Sequence, residues 1–335
     1  MTRDNGMTRK EFLQTTAGAL AASAITSDAA APPASAAAQR RGPKRGVSLY
    51  CFLTGLNINM TLEECFAEID DLGSEGQEMG VEILTGVIEN YPNPSDGWVK
   101  KWFDLCAKYH IKPVEYGHWI DSKRYAEGPD GLLSTKESYE QLVTDIKLAS
   151  RLGFTCGRTK IGVIDAELFP VPNWREFIKM ALPVAEKHNF RMLTEVHTPT
   201  LLKGRVIDEY LDFITKEKCT PWFGLNIDFG VFQNITSARG DDPGGRPMKE
   251  GTYSKPEDII PLLPYVHCCH AKFQVMNDQC ESVTVPYPEI IKILVDHNWN
   301  NYILSEYEGP DRTIDTAISQ VRKQHVMLKR LLGEA

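Results

Sequence analysis

Tyr265-Val266-His267-Cys268-Cys269-His270-Ala271-Lys272-Phe273 sets the architecture of this chain. It begins as an apolar strand and ends by delivering a histidine and a lysine on one parity. Three other short apolar runs end in a carboxylate in the same way. Arg191-Met192-Leu193-Thr194 leads to Glu195, Phe223-Gly224-Leu225-Asn226-Ile227 to Asp228, and Tyr302-Ile303-Leu304-Ser305 to Glu306. Four strand ends, each bearing a metal-ligand type, point to one site assembled from distant parts of the chain.

Outward from that stretch, short apolar runs alternate with longer amphipathic ones. Val47 to Phe52 reads as the first strand. Thr61 caps a helix to Leu72, with Glu64 in the capping-box position. Gly76 to Met79 reads as a short second strand, and a helix from Asp96 to His110 precedes a third strand from Ile111 to Tyr116. Ser134 or Thr135 starts a helix that ends at Leu152-Gly153, before a fourth strand from Thr155 to Lys160. Asn173 caps a helix to His188, and Phe190 to Glu195 is the fifth strand. A helix from about Thr200 to Thr215 leads to the sixth, which ends at Asp228. The short helix Pro256 to Leu263, the His270 strand, a helix from Pro286 to His297, the strand Tyr302 to Glu306 and a helix from Thr313 to Leu332 complete the series. Eight βα units imply a parallel sheet closed into a (β/α)8 TIM barrel over residues 46–335. A doubly wound open sheet would need a glycine-rich phosphate turn after an early strand, and none stands there.

The 335 residues are 42% hydrophobic and 24% charged, enough for one large core. The formal net charge of −8 disfavours phosphate backbones, so nucleic acid is not the expected partner. No run of about 18 apolar residues marks a membrane span. The eight cysteines make no CxxC pair and read as buried thiols. Residues 1–38 read as a signal peptide and linker outside the fold. Arg9-Lys10-Glu11-Phe12-Leu13 is similar to a twin-arginine export signal with lysine in the second arginine place, which predicts export to the periplasm, the cytoplasm being the alternative.

In such a barrel the strand C-termini share one face, where active sites lie. Glu195, Asp228, His270 and Glu306 are separated by 33, 42 and 36 residues, each about one βα unit. Three carboxylates and an imidazole suit a hard divalent cation, Mn²⁺ or Mg²⁺ first, with Co²⁺ and Zn²⁺ as alternatives. His267 faces away from His270 and reads as packed, while Lys272 shares the parity of His270 and can reach a substrate oxygen. Arg158 and Lys160, His118 with Trp119, Glu78 and Glu308 also read as rimming the mouth and binding substrate. The long segment Ser237 to Tyr253, rich in Gly, Pro and charge, reads as a loop at the same end, a lid or partner contact.

Leu193-Thr194-Glu195-Val196-His197, Asn226-Ile227-Asp228-Phe229-Gly230, the His267 to Phe273 run and Ser305-Glu306-Tyr307-Glu308-Gly309 resemble the signature segments of the xylose-isomerase-like barrels, a family of sugar isomerases and epimerases. The resemblance spans about Gly46 to Leu332. It implies that Glu195, Asp228, His270 and Glu306 hold a divalent metal that chelates adjacent sugar oxygens. It also implies that Glu195 and Glu306 double as catalytic bases. His197 is a further candidate base, because an imidazole titrates near neutral pH. Phe229 and Trp119 read either as aromatic surfaces for a sugar face or as packing residues. The Tyr50-Cys51-Phe52 opening and the Glu306-Tyr307-Glu308-Gly309 ending resemble the catalytic subunit of C-glycoside deglycosidases and 3-keto-glycoside lyases. That branch implies β-elimination on the same metal quartet and a smaller partner subunit, with a homo-oligomer as the alternative assembly. The pentose isomerase proper has a lysine two residues after its first metal glutamate, whereas His197 stands there in this chain, which argues against that activity. The expected substrate is a small sugar or a 3-keto-glycoside. A sugar-binding protein without catalysis and an endonuclease IV-like nuclease are the rival readings, the second disfavoured by the acidic charge and the single quartet.

Overall fold

A computed structural model describes residues 42–54, 57–58, 60–118, 133–159, 161, 170–236 and 246–334. The leader expected over residues 1–38 lies outside them. Eight parallel strands close into a barrel, each pairing with its sequence neighbours and the first with the last. They are β1 (Lys44–Ser48), β2 (Met79–Leu84), β3 (Ile111–His118), β4 (Cys156–Thr159), β5 (Arg191–Val196), β6 (Phe223–Asp228), β7 (Val266–Phe273) and β8 (Tyr302–Tyr307). The outer layer comprises α1 (Leu62–Leu72), α2 (Asp96–Lys108), α3 (Thr135–Arg151), α4 (Trp174–Lys187), α5 (Arg205–Glu217), α6 (Tyr287–Asp296) and α7 (Ile314–Leu331), with a 3-10 helix (Pro256–Leu262) between β6 and β7. Among the described residues no helix is long and apolar enough to cross a membrane.

The expected capping box forms at Thr61–Glu64, and a second, not expected, forms at Ser134–Glu137, each satisfying donors that a helix start otherwise leaves open. Gly153 ends α3 with φ +88°, a conformation that costs glycine little. Two strand assignments shift. The apolar run expected as the first strand splits, because after Ser48 the chain turns into a 3-10 helix over Leu49–Phe52. The Ser48 hydroxyl accepts from the Tyr50 amide at 3.2 Å and steers that turn. Cys51 then docks on β8, its Sγ donating to the Ser305 carbonyl and accepting from the Tyr307 amide, both at 3.2 Å. The second strand starts at Met79, where the expected one ended. Glu78 therefore sits just before the strand, not at its C-terminal end.

Most of the core lies between the strands and the helices. A smaller apolar plug of Val114, Cys156, Leu193, Cys268 and Leu304 fills the barrel itself. By strand parity Glu195, His270 and Glu306 stand directly above Leu193, Cys268 and Leu304. The plug is thus the floor of the site. Gly117 of β3 makes room for one of the charges above it, since a Cβ there would lie 2.4 Å from Glu82 Oε1 and 2.8 Å from Leu84 Cδ2. Glu82 is fully buried and cannot swing clear. We therefore expect Gly117→Ala to destabilise the protein by about 1–3 kcal/mol in urea unfolding, through overpacking. Gly86→Ala, where a Cβ meets nothing within 4 Å, should leave the midpoint unchanged.

Candidate metal centre

The C-terminal ends of β5, β6, β7 and β8 bring Glu195, Asp228, His270 and Glu306 together, all buried, with one ligand atom of each within 4.8 Å of the others. His270 Nδ1 lies 3.1 Å from Glu195 Oε1 and 3.4 Å from Glu306 Oε2. Asp228 Oδ1 accepts from the Gly230 amide at 2.6 Å, which orients its other oxygen toward the mouth side. The Lys272 ammonium lies 2.6 Å from Asp228 Oδ2, 3.4 Å from Glu306 Oε2 and 3.2 Å from Glu308 Oε2.

A second layer lies against the first. Arg158 bridges Glu195 Oε2 at 2.9 Å and Glu82 Oε1 at 3.0 Å, and His270 Nε2 lies 2.9 Å from Glu115 Oε2. Asn226 Nδ2 donates to both oxygens of Glu115 at 3.1 Å. Burial drives the Glu82 carboxyl up to about 7 against the pull of Arg158 and His270. Burial likewise drives Asp228 up to about 6, although Lys272 opposes it. For Glu195 and Glu306 burial pushes upward too, but nearby cations win. Arg158 and His270 hold Glu195 well below its ordinary range, and Lys272 and His270 hold Glu306 down.

These residues fit a divalent cation. Five buried carboxylates (Glu82, Glu115, Glu195, Asp228 and Glu306) face three cationic side chains, Arg158, His270 and Lys272. Asp228 Oδ2 and Glu306 Oε2 are buried without a hydrogen-bond donor in good geometry among the described residues, although each lies near the lysine. Oxygen-rich, anionic donors of this kind suit Mn²⁺ or Mg²⁺, and the imidazole admits softer ions.

The other expected site residues divide. Arg158 contacts a quartet member from inside the barrel rather than from the rim. Lys272 and Glu308 lie at the mouth side of the quartet, Glu308 at the exposed edge. His197 follows β5, and its Nδ1 lies 2.6 Å from the Thr198 carbonyl. A carbonyl only accepts, so Nδ1 carries the proton and Nε2 presents a lone pair. Glu78 is a correction: exposed at the opposite end of the barrel, its carboxylate accepts from the Tyr302 hydroxyl at 2.8 Å. His118 is another. Glu115 and Gly117 face the barrel interior, so His118 takes the outward parity, where its Nδ1 pairs with Asp145 of α3 and Tyr91 edges its ring. Phe229 is fully buried against Phe232 and Tyr287, so it packs the core rather than stacking on a ligand. Lys160 and Trp119 lie outside the described residues. His267 packs beside Gly224, and burial drives its pKa down to about 3, which leaves it neutral. Glu82, Glu115 and Asn226 were not expected. An acid inside the run Met79–Leu84, and an asparagine two residues before Asp228, were the available signals.

Comparison with known proteins agrees with this fold. The model of the xylose isomerase-like TIM barrel family matches residues 66–330. The C-glycoside deglycosidase alpha subunit of Arthrobacter globiformis is 23% identical over 350 residues, covering 88% of this chain and 94% of that protein. The 3'-dehydrocarminate deglycosidase alpha subunit of a Microbacterium species is 24% identical, covering 87% of this chain and 96% of that protein. Among solved structures, an L-ribulose 3-epimerase superposes with a TM-score of 0.60 at 12% identity, over 87% of this chain and 95% of that one, a likeness of fold alone.

Arg158 neutralises two buried acids at once, so its removal should leave both unpaired. Arg158→Met is expected to cost roughly 3–5 kcal/mol in denaturant unfolding of the chelator-treated protein. Lys100→Ala, which breaks the exposed pair with Asp104, should have no measurable effect.

Proposed function

This chain belongs to the xylose isomerase-like TIM barrel family, and we propose that it is a divalent-metal-dependent enzyme that removes the proton beside a sugar carbonyl and, from a 3-keto-glycoside, expels the aglycone by β-elimination. The carrying observation is the buried quartet Glu195, Asp228, His270 and Glu306, with more negative charge around it than its cations neutralise. Manganese is the proposed ion. When bound, it polarises the carbonyl and the neighbouring hydroxyl and stabilises the negative charge left by proton removal.

The side chains account for the remaining requirements. His197 Nε2 is the base, because the Thr198 carbonyl holds the ring proton on Nδ1. Glu195 and Glu306 stay ionised under Arg158 and Lys272 and so remain ligands in the resting site. Lys272, between Asp228 and Glu308, holds a substrate oxygen, and Glu308 accepts from a sugar hydroxyl at the rim. Proton loss from C2 of a 3-keto-glycoside places electrons next to the C1 leaving group, and the aglycone departs with them.

The names of the two deglycosidase relatives support elimination over proton return. A sugar isomerase or epimerase shares the first step. It is the second reading because Glu195 and Glu306 both reach His270 Nδ1 from separate strands, which puts more than one carboxylate within the site for proton return. Both relatives are named alpha subunits, so a smaller partner subunit is part of the proposal. It would use the loop expected over 237–253, of which 237–245 lie outside the described residues. The flanks pair as an antiparallel bridge between Ile235 and Pro247 that closes the loop base. Export of the chain is likewise proposed from its first residues alone.

The test begins with metal content of the purified chain, where about one divalent ion is expected and Glu306→Gln should lose it, since a charged ligand oxygen goes. The Mn²⁺-loaded chain, with its partner if one co-purifies, is then given a 3-keto-glycoside in deuterated water. Aglycone release with exchange at C2 is expected, and His197→Ala should slow both by at least about 100-fold while keeping the ion. Exchange without release would favour the epimerase reading. Failure to take up any divalent ion under any loading condition would end the metal mechanism and leave a sugar-binding protein as the better account.

A further inference from the structure

Of the eight strand pairs in the barrel, β2–β3 and β6–β7 carry register shifts. In the first, Val81 pairs with Pro113 and Glu82 with Glu115, so β3 holds one extra residue, Val114. In the second, Leu225 pairs with Val266 and Asn226 with Cys268, so β7 holds one extra residue, His267. Bulges re-aim side chains, and a bulge also tolerates a proline that cannot donate to the ladder. Here Val114 joins the apolar plug, yet its neighbour Glu115 also reaches the barrel interior. A regular strand would send one of them outward. Both irregularities thus fall beside the same three buried residues, Glu82, Glu115 and Asn226.

Those residues meet the back of the His270 ring. Its Nε2 lies 2.9 Å from Glu115 Oε2, while its Nδ1 faces Glu195 and Glu306. Asn226 Nδ2 donates to both oxygens of Glu115 at 3.1 Å, and all three residues are fully buried. A carboxylate that already receives an amide NH₂ can only accept from the imidazole, so the ring proton on this side sits on Nε2. Nδ1 faces the Glu195 and Glu306 carboxylates, which likewise only accept, so it is the nitrogen whose proton an ion would replace. Glu82, Glu115 and His270 also cluster closely enough to suggest a second cation. The Arg158 guanidinium 3.0 Å from Glu82 and the Asn226 amide on Glu115 already occupy those carboxylates, so the layer supports the first site rather than forming another.

We propose that Glu115, itself held by Asn226, is a positioning residue that fixes the ring and tautomer of His270, so that Nδ1 is the atom offered to the divalent ion. This inference rests on the metal reading above. Ligand-bound histidines that donate their second N–H to a carboxylate lose about 10- to 100-fold in metal affinity when that partner is removed.

The experiment uses the full chain, with Mn²⁺ affinity read from the electron paramagnetic resonance of the free ion and ligand geometry from the visible absorption of the Co²⁺-loaded form. Glu115→Ala should weaken Mn²⁺ binding by about 10- to 100-fold and alter the Co²⁺ band. Glu115→Gln, which keeps an acceptor for Nε2–H, should recover the wild-type band and much of the affinity, which a merely structural defect would not. Asn226→Ala should change affinity in the same direction by less, and it serves as the second variant if Glu115→Ala does not fold. Glu78→Gln, at the far end of the barrel, should change neither readout. Wild-type affinity and an unchanged band in Glu115→Ala and Asn226→Ala would overturn the positioning role while leaving the metal site standing. No uptake by the wild-type chain would instead overturn the metal reading, and this inference with it.

Discussion

Five carboxylates buried in one barrel mouth are the constraint under which the rest of the structure operates. Removing a charge from water costs several kcal/mol even after relaxation, and like charges raise that cost. The chain answers with two fixed cations of different placement. Arg158 lies below and ties Glu195 to Glu82, while Lys272 lies at the mouth and spans Asp228, Glu306 and Glu308. The opposite directions in which the acids shift follow from this arrangement. All four shifted acids lie against a cation, but Glu195 and Glu306 also face His270 Nδ1 within hydrogen-bond reach and are held down, whereas burial prevails at Glu82 and Asp228.

The scaffold is shaped to hold that charge. An apolar plug closes the barrel beneath the site and keeps water from entering below. Gly117 leaves the volume that the Glu82 carboxylate fills, and the bulge at Val114 turns Glu115 inward. Each device weakens the sheet locally, by a missing side chain or a missing ladder bond. Their concentration around one layer fits a barrel in which local regularity yields to the placement of a few polar groups.

Fold alone does not select a reaction, because one barrel hosts many chemistries. What distinguishes the readings is the fate of the charge created after proton loss. A second proton-carrying group within reach returns the proton, whereas a substrate with a good leaving group one carbon away loses the aglycone first. His197 stands two residues after Glu195, and the Thr198 carbonyl holds its ring proton on Nδ1, which leaves the lone pair on Nε2.

Much of this was legible in the residue order. Period-two apolar runs ending in an acid or a histidine, spaced by about one βα unit, were enough to place Glu195, Asp228, His270 and Glu306 at one mouth, because a parallel barrel puts every strand end on the same rim. Glu78 and His118 were misplaced because that argument depends on where a strand begins and on which parity faces the axis. The run Val47–Phe52 was read whole because a buried 3-10 turn is as apolar as a strand. Glu82 and Asn226 left only faint signals, and Glu115 left none. The inward aim of Glu115 comes from the bulge at Val114, which alternation cannot anticipate, and the partners of this layer lie as far as 155 residues away in the chain. Local pattern encodes which residues end a strand; only closure of the barrel decides which charges meet inside it, because those contacts join strands with no sequence proximity.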